Sequence, residues 1–474
     1  MNSIKNTALA KVLSLVVITI ILCIPLAQIG SLINERGDSQ HQAAAELANT
    51  YAGQQTLLGP FIVVPYVEHW IETTPGEKGA VIRTARTREG DHFIYPKKLD
   101  LSGALLPEER YRGIFRVLFY KLRASITGTL PPLDTAGILR KEKDSRIETG
   151  TPYFALALGD MRGIEGMPSF KAAGESLKIA QRIPAASSSS WLSRGIHAPL
   201  TGEALKAFGR GDAIAFTFAL NLTGHEKLSV APLADETTAH LTSPWPHPAF
   251  GGRFLASERT IGDHGFEARW AVSSLVSEAR GQIGKAQPDG RPRPELDTFD
   301  VSLMQPLNVY AMTNRAVKYG LLFVGLTLMA AFMFELLRKL RMHPVQYALV
   351  GLSIALFFLL LLALSEKMVF WLAYTCAASA SVLLLAVYFS AVLQGWRRGV
   401  SLAAYVGVLY AALYGLLASE SNALLLGALL MFGMLALLMI ATRRVDWYSL
   451  GPKEGEAAAT PPAAPPAMPR PAAA

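Results

Sequence analysis

Apolar residues along this chain form two textures that hardly mix. Six stretches are uncharged, or nearly so, and almost continuously apolar: residues 12–33, 317–337, 345–365, 369–393, 400–418 and 423–441. Each supplies about the 20 helical residues needed to cross a hydrocarbon core roughly 30 Å thick. Between the first and second lies an insert, residues 34–316, in which apolar runs are short. FIVVPYVEHW, FRVLFYKLRASITGTL, YFALALGD, AIAFTFALNLTG, KLSVAP, TAHLTS, FEARWAVSS and FDVSLMQPLNVYAM are rich in β-branched and aromatic residues. Gly, Pro, Asp and Asn bound them, and residues 116–126 and 213–222 partly alternate apolar with polar or small, as half-buried antiparallel strands do.

The pattern therefore predicts an α-helical membrane protein with six transmembrane helices. A large, mainly antiparallel β domain, sandwich-like, separates helix 1 from helix 2. Residues 1–11 and 442–474 are terminal segments, 12–33 is the first span, and 317–441 is a five-helix bundle. Residues 34–49 suit a short helix continuing from the first span. AASSSSW, residues 185–191, reads as a flexible link that divides the insert into two lobes, and KEKDSRIETGTP, residues 141–152, as an exposed connection. The segments around Phe115 and Phe216 look loosely alike, but no repeat is sharp enough to mark a duplication. After about residue 451 the tail is Ala/Pro-rich, without a hydrophobic face, and is predicted to be disordered.

Composition agrees: 51% hydrophobic and 17% charged residues are too apolar for a soluble domain and too mixed for spans alone. The net charge of +8 would suit a nucleic-acid partner, but its distribution argues against one. Residues 34–316 hold 32 of the 45 basic and 31 of the 37 acidic side chains, leaving thirteen basic against six acidic elsewhere. Lys5 and Lys11 precede the first span. Arg338, Lys339 and Arg341 follow the second, Arg397 and Arg398 the fourth, and Arg443 and Arg444 the sixth. The alternate loops carry only Lys367 beside Glu366, and Glu420. Lys/Arg excess marks the cytoplasmic side, so both termini are expected inside and the large insert outside.

The first span reads as a retained anchor rather than a signal peptide. Its uncharged run of residues 12–33 exceeds a signal core of about 7–15, and Pro25 spoils the small-x-small pattern at Ala27. Leu22 stands where a lipoprotein at Cys23 would need a small residue. Cys23 and Cys376, the only cysteines, both lie in spans, so the insert folds without a disulfide.

Chemistry is harder to find. The spans have no ionisable group near their centres, since Lys318 and Glu335 lie close to span ends, which disfavours a proton-coupled path. Small residues at four-residue spacing do recur: Ala403, Gly407, Ala411 and Gly415 on one helix, Ala373, Ala377 and Ser381 on another. Such stripes let helices approach closely. Tyr405, Tyr410 and Tyr414 are candidates to line a cavity, though structural use is the more ordinary reading. Eight of nine histidines fall in the insert, but none has metal-ligand spacing. HExxH, GxSxG and a phosphate-cradling Gly-rich loop are absent from the sequence. No catalytic residue, metal or cofactor is expected. In SPWPHPAFGG, Pro244, Pro246 and Pro248 each lack an N–H and fix φ near −65°. This cannot be a central strand, and Trp245, Pro246, His247, Pro248 and Phe250 read as a structural or partner-binding corner.

Several long stretches together resemble a known family. LLGPFIVVPY, GDMRGI, LTSPWPHPAFGGRFL and GFEARWAVSS in the insert, with TNRAVKYGLLFVGLTLMAAFMFE, HPVQYALVGLSIALFFLLLLALSE, SNALLLG and RRVDWYSL beyond it, are similar in order and spacing to the CreD family. The resemblance covers nearly all of residues 10–450. It implies a bacterial inner-membrane protein with a role in envelope integrity and an envelope stress response, and no established reaction. The expected partners are the lipid bilayer and a periplasmic or membrane envelope component, not nucleic acid. The leading reading is a non-enzymatic envelope factor. The alternatives are a transporter or accessory subunit for a lipid or cell-wall intermediate, and a membrane-bound hydrolase.

Overall fold

The computed structural model describes residues 5–75, 81–132, 137, 138, 140, 142, 144–184, 191–284, 295–304, 309–338, 342–419 and 423–443. Two compact units emerge: Met1–Gly37 with Leu307–Ala474, and Asp38–Pro306. One helix, α1 (Lys5–Thr50), contributes to both.

Within the first unit, α1 is followed by α4 (Val309–Lys318), α5 (Gly320–Arg338), α6 (Pro344–Ser365), α7 (Phe370–Val392), α8 (Trp396–Ala418) and α9 (Ala423–Thr442). Among the described residues, α1, α6, α7 and α8 are each long and apolar enough to cross a membrane. The pair α4 and α5, bent by 43° at Tyr319, makes a further candidate. FDVSLMQPLNVYAM is therefore not a single strand. Its first five residues pair in a sheet, whereas Val309–Met312 begin α4, whose Tyr310, Met312, Thr313 and Ala316 are buried at helical spacing.

The second unit is a two-sheet sandwich. Its strands in chain order are β1 (Gln55–Pro75), β2 (Val81–Ile94), β3 (Lys98–Arg112), β4 (Phe115–Leu130), β5 (Arg146–Thr149), β6 (Tyr153–Leu158), β7 (Ile164–Ala172), β8 (Glu175–Ser176) and β9 (Ala180–Gln181). After β10 (Gly195–Pro199) comes the short helix α2 (Gly202–Arg210). Then follow β11 (Ile214–His225), β12 (Lys227–Ala231), β13 (Glu236–Ser243), β14 (Pro248–Gly252), β15 (Glu258–Gly262), β16 (Gly265–Ser273), α3 (Ala279–Gly284) and β17 (Phe299–Leu303). Sheet A runs β14-β17-β12-β1-β6-β10-β9, with β2 and β5 also on β1. Sheet B runs β15-β16-β13-β3-β4-β11-β7-β8. The described pairings are antiparallel except β1 with β12 and β3 with β13, so both sheets are mixed. KEKDSRIETGTP is not wholly a loop, because Arg146–Thr149 pair with β1. Of the 185–191 link, residues 185–190 lie outside the described residues, and strands before and after it share one core.

That core lies between the sheets. Leu57, Ile62, Phe154 and Phe299 of sheet A meet Leu101, Leu122, Phe218 and Trp270 of sheet B. Aromatic contacts cross the gap: Phe154 stands edge-on to Phe170 at 4.4 Å between centroids, and Trp270 stacks on Phe299 at 5.1 Å. A second cluster, with Leu58, Phe61, Val63 and Ala155, covers the other face of sheet A. Buried on both sides, the first part of β1 (residues 57–64) and all of β6 carry continuous apolar runs instead of alternation. A register shift at Gly59–Pro60 makes Leu57 and Ile62 face the same core despite their odd spacing. Gly59 has φ +109°, and a Cβ there would lie 2.8 Å from the Ala155 carbonyl oxygen.

Trp270→Ala removes a fully buried ring from the cross-sheet stack and is expected to destabilise the sandwich by about 3–5 kcal/mol. Denaturant unfolding followed by β-sheet circular dichroism checks this; an unchanged midpoint would contradict the assigned core.

Candidate functional site

SPWPHPAFGG occupies the passage between the two sheets. Strand β13 ends at Ser243 in sheet B, and β14 starts at Pro248 as an edge strand of sheet A, paired with β17. Pro244 and Pro246 lie in the passage outside both ladders, and Pro248 opens the edge strand, where a missing N–H is tolerated. Trp245 is half-buried against the inter-sheet core, and its indole Nε1 donates to the Met304 carbonyl at 2.9 Å. The Met304 amide in turn donates to the His247 carbonyl at 3.1 Å. Phe250 meets Phe266 at 5.6 Å and Trp270 at 5.7 Å between centroids, while the His247 side chain is exposed. Pro246 is half-buried beside it. His247 lies 6.4 Å from the Trp245 ring, and no cluster of metal-ligating residues exists among the described residues.

GDMRGI turns out to hold a polar network that sequence reasoning left without a role. Gln55, fully buried, donates from Nε2 to the Asp160 and Thr223 carbonyls at 3.0 and 2.9 Å and accepts from the Asp160 amide at 3.1 Å. Gly163 is required here, because a Cβ would come within 2.2 Å of the Thr223 oxygen and 2.4 Å of Gln55 Nε2. The Asp160 carboxylate accepts from the Gly53 amide at 2.9 Å and from Arg162 at 2.6 and 3.0 Å. Arg162 also reaches the Ala48 and Asn49 carbonyls, so its guanidinium satisfies the C-terminal end of α1, where a cation is favoured. Burial would raise the Asp160 pKa, but the bonds from Arg162 and Gly53 outweigh it and hold it at about 2.

A second buried carboxylate, Glu68, accepts from Ser145 Oγ at 2.7 Å and from the Glu142 amide at 3.3 Å. Ser145 and Glu68 are 3% and 0% exposed, which leaves no approach for a substrate; the pair ties a loop to β1. The histidines are dispersed. His240 bonds Glu267 at 2.8 Å, whereas His225 packs on Phe119 and burial lowers its pKa.

In the helical unit, charged groups pair at two levels. Glu335 of α5, nearly buried, is bonded by Lys11 of α1 and accepts from the Tyr347 hydroxyl of α6 at 2.5 Å. Glu366, capping α6 at its other end, lies 3.8 Å from Arg36 of α1 and accepts from Tyr310 of α4 at 3.2 Å. Lys11 and Arg36 are 25 residues apart, about 38 Å along a helix rising 1.5 Å per residue. That brackets a hydrocarbon core roughly 30 Å thick.

Of the small-residue stripes, the one on α7 is buried throughout, at Ala373, Ala377 and Ser381. On α8, Ala403 is buried and Gly407 faces Val382 of α7, but Ala411 and Gly415 are exposed. A close approach between these helices falls at Gly399, where a Cβ would meet Ser390 at 2.2 Å. Tyr410 and Tyr414 join Tyr374 in packed contacts: Tyr374 donates to the Tyr410 carbonyl at 2.7 Å, and its ring is 5.1 Å from that of Tyr414. Tyr405, half-buried, stands five residues from Tyr410, about 140° round the helix. A groove of about 470 Å³ between α6 and α7 is lined by Leu356, Phe357, Leu360, Ala377 and Ser381, among others, and no charged residue lines it. Tyr410 lies behind it, its hydroxyl 2.9 Å from Ser381 Oγ.

Fold and site together define a multi-pass membrane protein that carries a large β domain, with ion pairs whose carboxylates are largely buried and serve structure. A family model for the inner membrane protein CreD matches residues 7–448. The chain belongs to the CreD family. It is 32% identical to the inner membrane protein CreD of Escherichia coli (strain K12) over 445 residues, which covers 94% of this chain and 95% of that protein.

Asp160 yields a pH prediction. With its folded pKa near 2 and an ordinary value of 3.8, the ionised carboxylate contributes stability above about pH 4 that is lost as pH falls toward 2. Thermal unfolding of the parent and Asp160→Asn should differ most at pH 5–6 and converge toward pH 2. A gap independent of pH would contradict the network.

Proposed function

We propose that this protein is a non-catalytic envelope-integrity and stress-response factor. Its β-sandwich stands in the periplasm and binds an envelope component or partner protein. Six helices, with both termini cytoplasmic, hold it in the inner membrane. The observation that carries this reading is the agreement between loop charge and ion pairing. Lys/Arg excess falls on every second loop, and the Lys11–Glu335 pair lies at the end of the bundle adjoining the Arg338 segment. The helical unit contains more helices than anchoring alone requires, so it also contacts lipid or a partner within the membrane. Family membership supports the envelope setting.

A periplasm-active phosphatase fused after Ser421 is expected to be active, and one fused after Leu450 inactive. The reverse pattern would sink the six-crossing arrangement. Crosslinking in intact envelopes, followed by peptide mapping, should place partner adducts within residues 38–306; adducts confined to the helical unit would contradict a periplasmic binding module.

A further inference from the structure

Three faces of the two sheets carry apolar clusters or packed elements over much of their area; the outer face of sheet B does so only at one end, where Val117 and Phe119 of β4 pack on Leu47 of α1, and is polar across the rest of its central strands. Alternation along β3, β4, β11 and β13 sends every second residue outward there. Cross-strand register lines these residues up in rows. One row reads His240, Ser102, Ser125, Ala219 and Ser169 across β13, β3, β4, β11 and β7. Its neighbour reads Thr242, Ala104, Arg123 and Asn221. Short side chains in the middle of both rows leave an open trough of about 490 Å³, within the size range of small-molecule sites.

The charges around the trough are nearly all engaged. Asp100 accepts from Thr238 at 3.1 Å. Glu165 accepts from Thr223 at 2.5 Å and lies 3.7 Å from Lys121. Glu267 is held by His240 at 2.8 Å and Arg269 at 3.1 Å. Arg123 differs: it is exposed, its cross-strand neighbours are Ala104 and Asn221, and it has no ion-pair partner among the described residues. A guanidinium with both edges free is suited to a planar or tetrahedral oxyanion, which it can grip with two parallel bonds. Hydroxyl and amide groups on either side, from Ser102, Ser125, Ser169, Asn221 and Thr242, both donate and accept. That mixture matches a ligand covered in hydroxyls. Because the trough is open and extends over several strands, it favours a segment of a chain over a compact molecule.

We propose that this trough is a binding site for an anionic glycan chain, with Arg123 holding a carboxylate or phosphate group and the flanking hydroxyls and amide reading the sugar. The inference rests on the reading of the sandwich as an envelope-binding module and names its ligand class and site.

The test uses the full chain in lipid nanodiscs, titrated with oligogalacturonate as a carboxylated glycan, a phosphomannan oligomer as a phosphorylated one, and dextran as a neutral control. At least one charged glycan should bind at least tenfold tighter than dextran, and whichever binds identifies the anion. Arg123→Gln should weaken that binding tenfold or more, and Ser125→Tyr, which fills the trough from an exposed strand position, should abolish it. Arg83→Gln, which removes an exposed cation from β2, should leave it unchanged. The proposal is overturned if neither charged glycan binds, if dextran binds as well, if the two trough variants retain affinity, or if Arg83→Gln loses as much as Arg123→Gln. None of these results touches the binding-module reading, which depends on where envelope adducts map.

Discussion

Ionised groups are expensive inside a bilayer, and four of those in the helical unit form ion pairs at two levels. Lys11 with Glu335, and Arg36 with Glu366, join α1 to α5 and α6 at positions about 38 Å apart along α1. Tyrosine hydroxyls from α6 and α4 complete each site, so neither carboxylate depends on one cation alone. Removing the cation leaves a carboxylate only 6% or 12% exposed without its partner, which costs more than losing an exposed surface pair. With α1 tied to α5 at one level and to the end of α6 at the other, the uncharged middle of the bundle can pack by shape alone. The buried Ala373, Ala377 and Ser381 stripe and the close approach at Gly399 show how α7 and α8 use that freedom.

The sandwich solves a different problem, since it holds together with no cysteine of its own and hence no disulfide. Its solution is two cores, with β1 and β6 buried on both faces between them. At the start of β1 the chain must leave a long helix and enter a sheet. There Arg162 satisfies the last carbonyls of α1, Asp160 holds Arg162 and Gly53, and Gln55 joins three segments. Pro244–His247 perform the other difficult passage, from sheet B to sheet A. Both motifs thus sit at changes of direction.

What could be read from sequence depended on how local its cause was. Each of the eight apolar runs contains a strand, because two-face burial in LLGPFIVV and alternation in AIAFTFAL are written in consecutive residues. β2 escaped notice because most of VIRTARTREGDHFI is exposed on both sides and has no apolar face to betray it. β3 does alternate, at Leu99, Leu101 and Leu105, but Gly103 and Pro107 interrupt the pattern. α2 buries only Ala204, Ala207 and Phe208, too few to stand out. The ion pairs were out of reach for another reason. Lys11 and Glu335 are 324 residues apart, and charge near a span end is ordinary until its partner is known. Arg123 was likewise one of many basic residues until register placed it between Ala104 and Asn221.

The pairing of α1 with α5 is therefore the claim on which the membrane half rests, and a charge exchange tests it most directly. Lys11→Glu alone should sharply lower the yield and thermal stability of full-length protein in the membrane, because two carboxylates would then face each other. Combining it with Glu335→Lys keeps one basic and one acidic group at the same level and should restore most of both. A double variant no better than Lys11→Glu, or a harmless Lys11→Glu, would contradict the account.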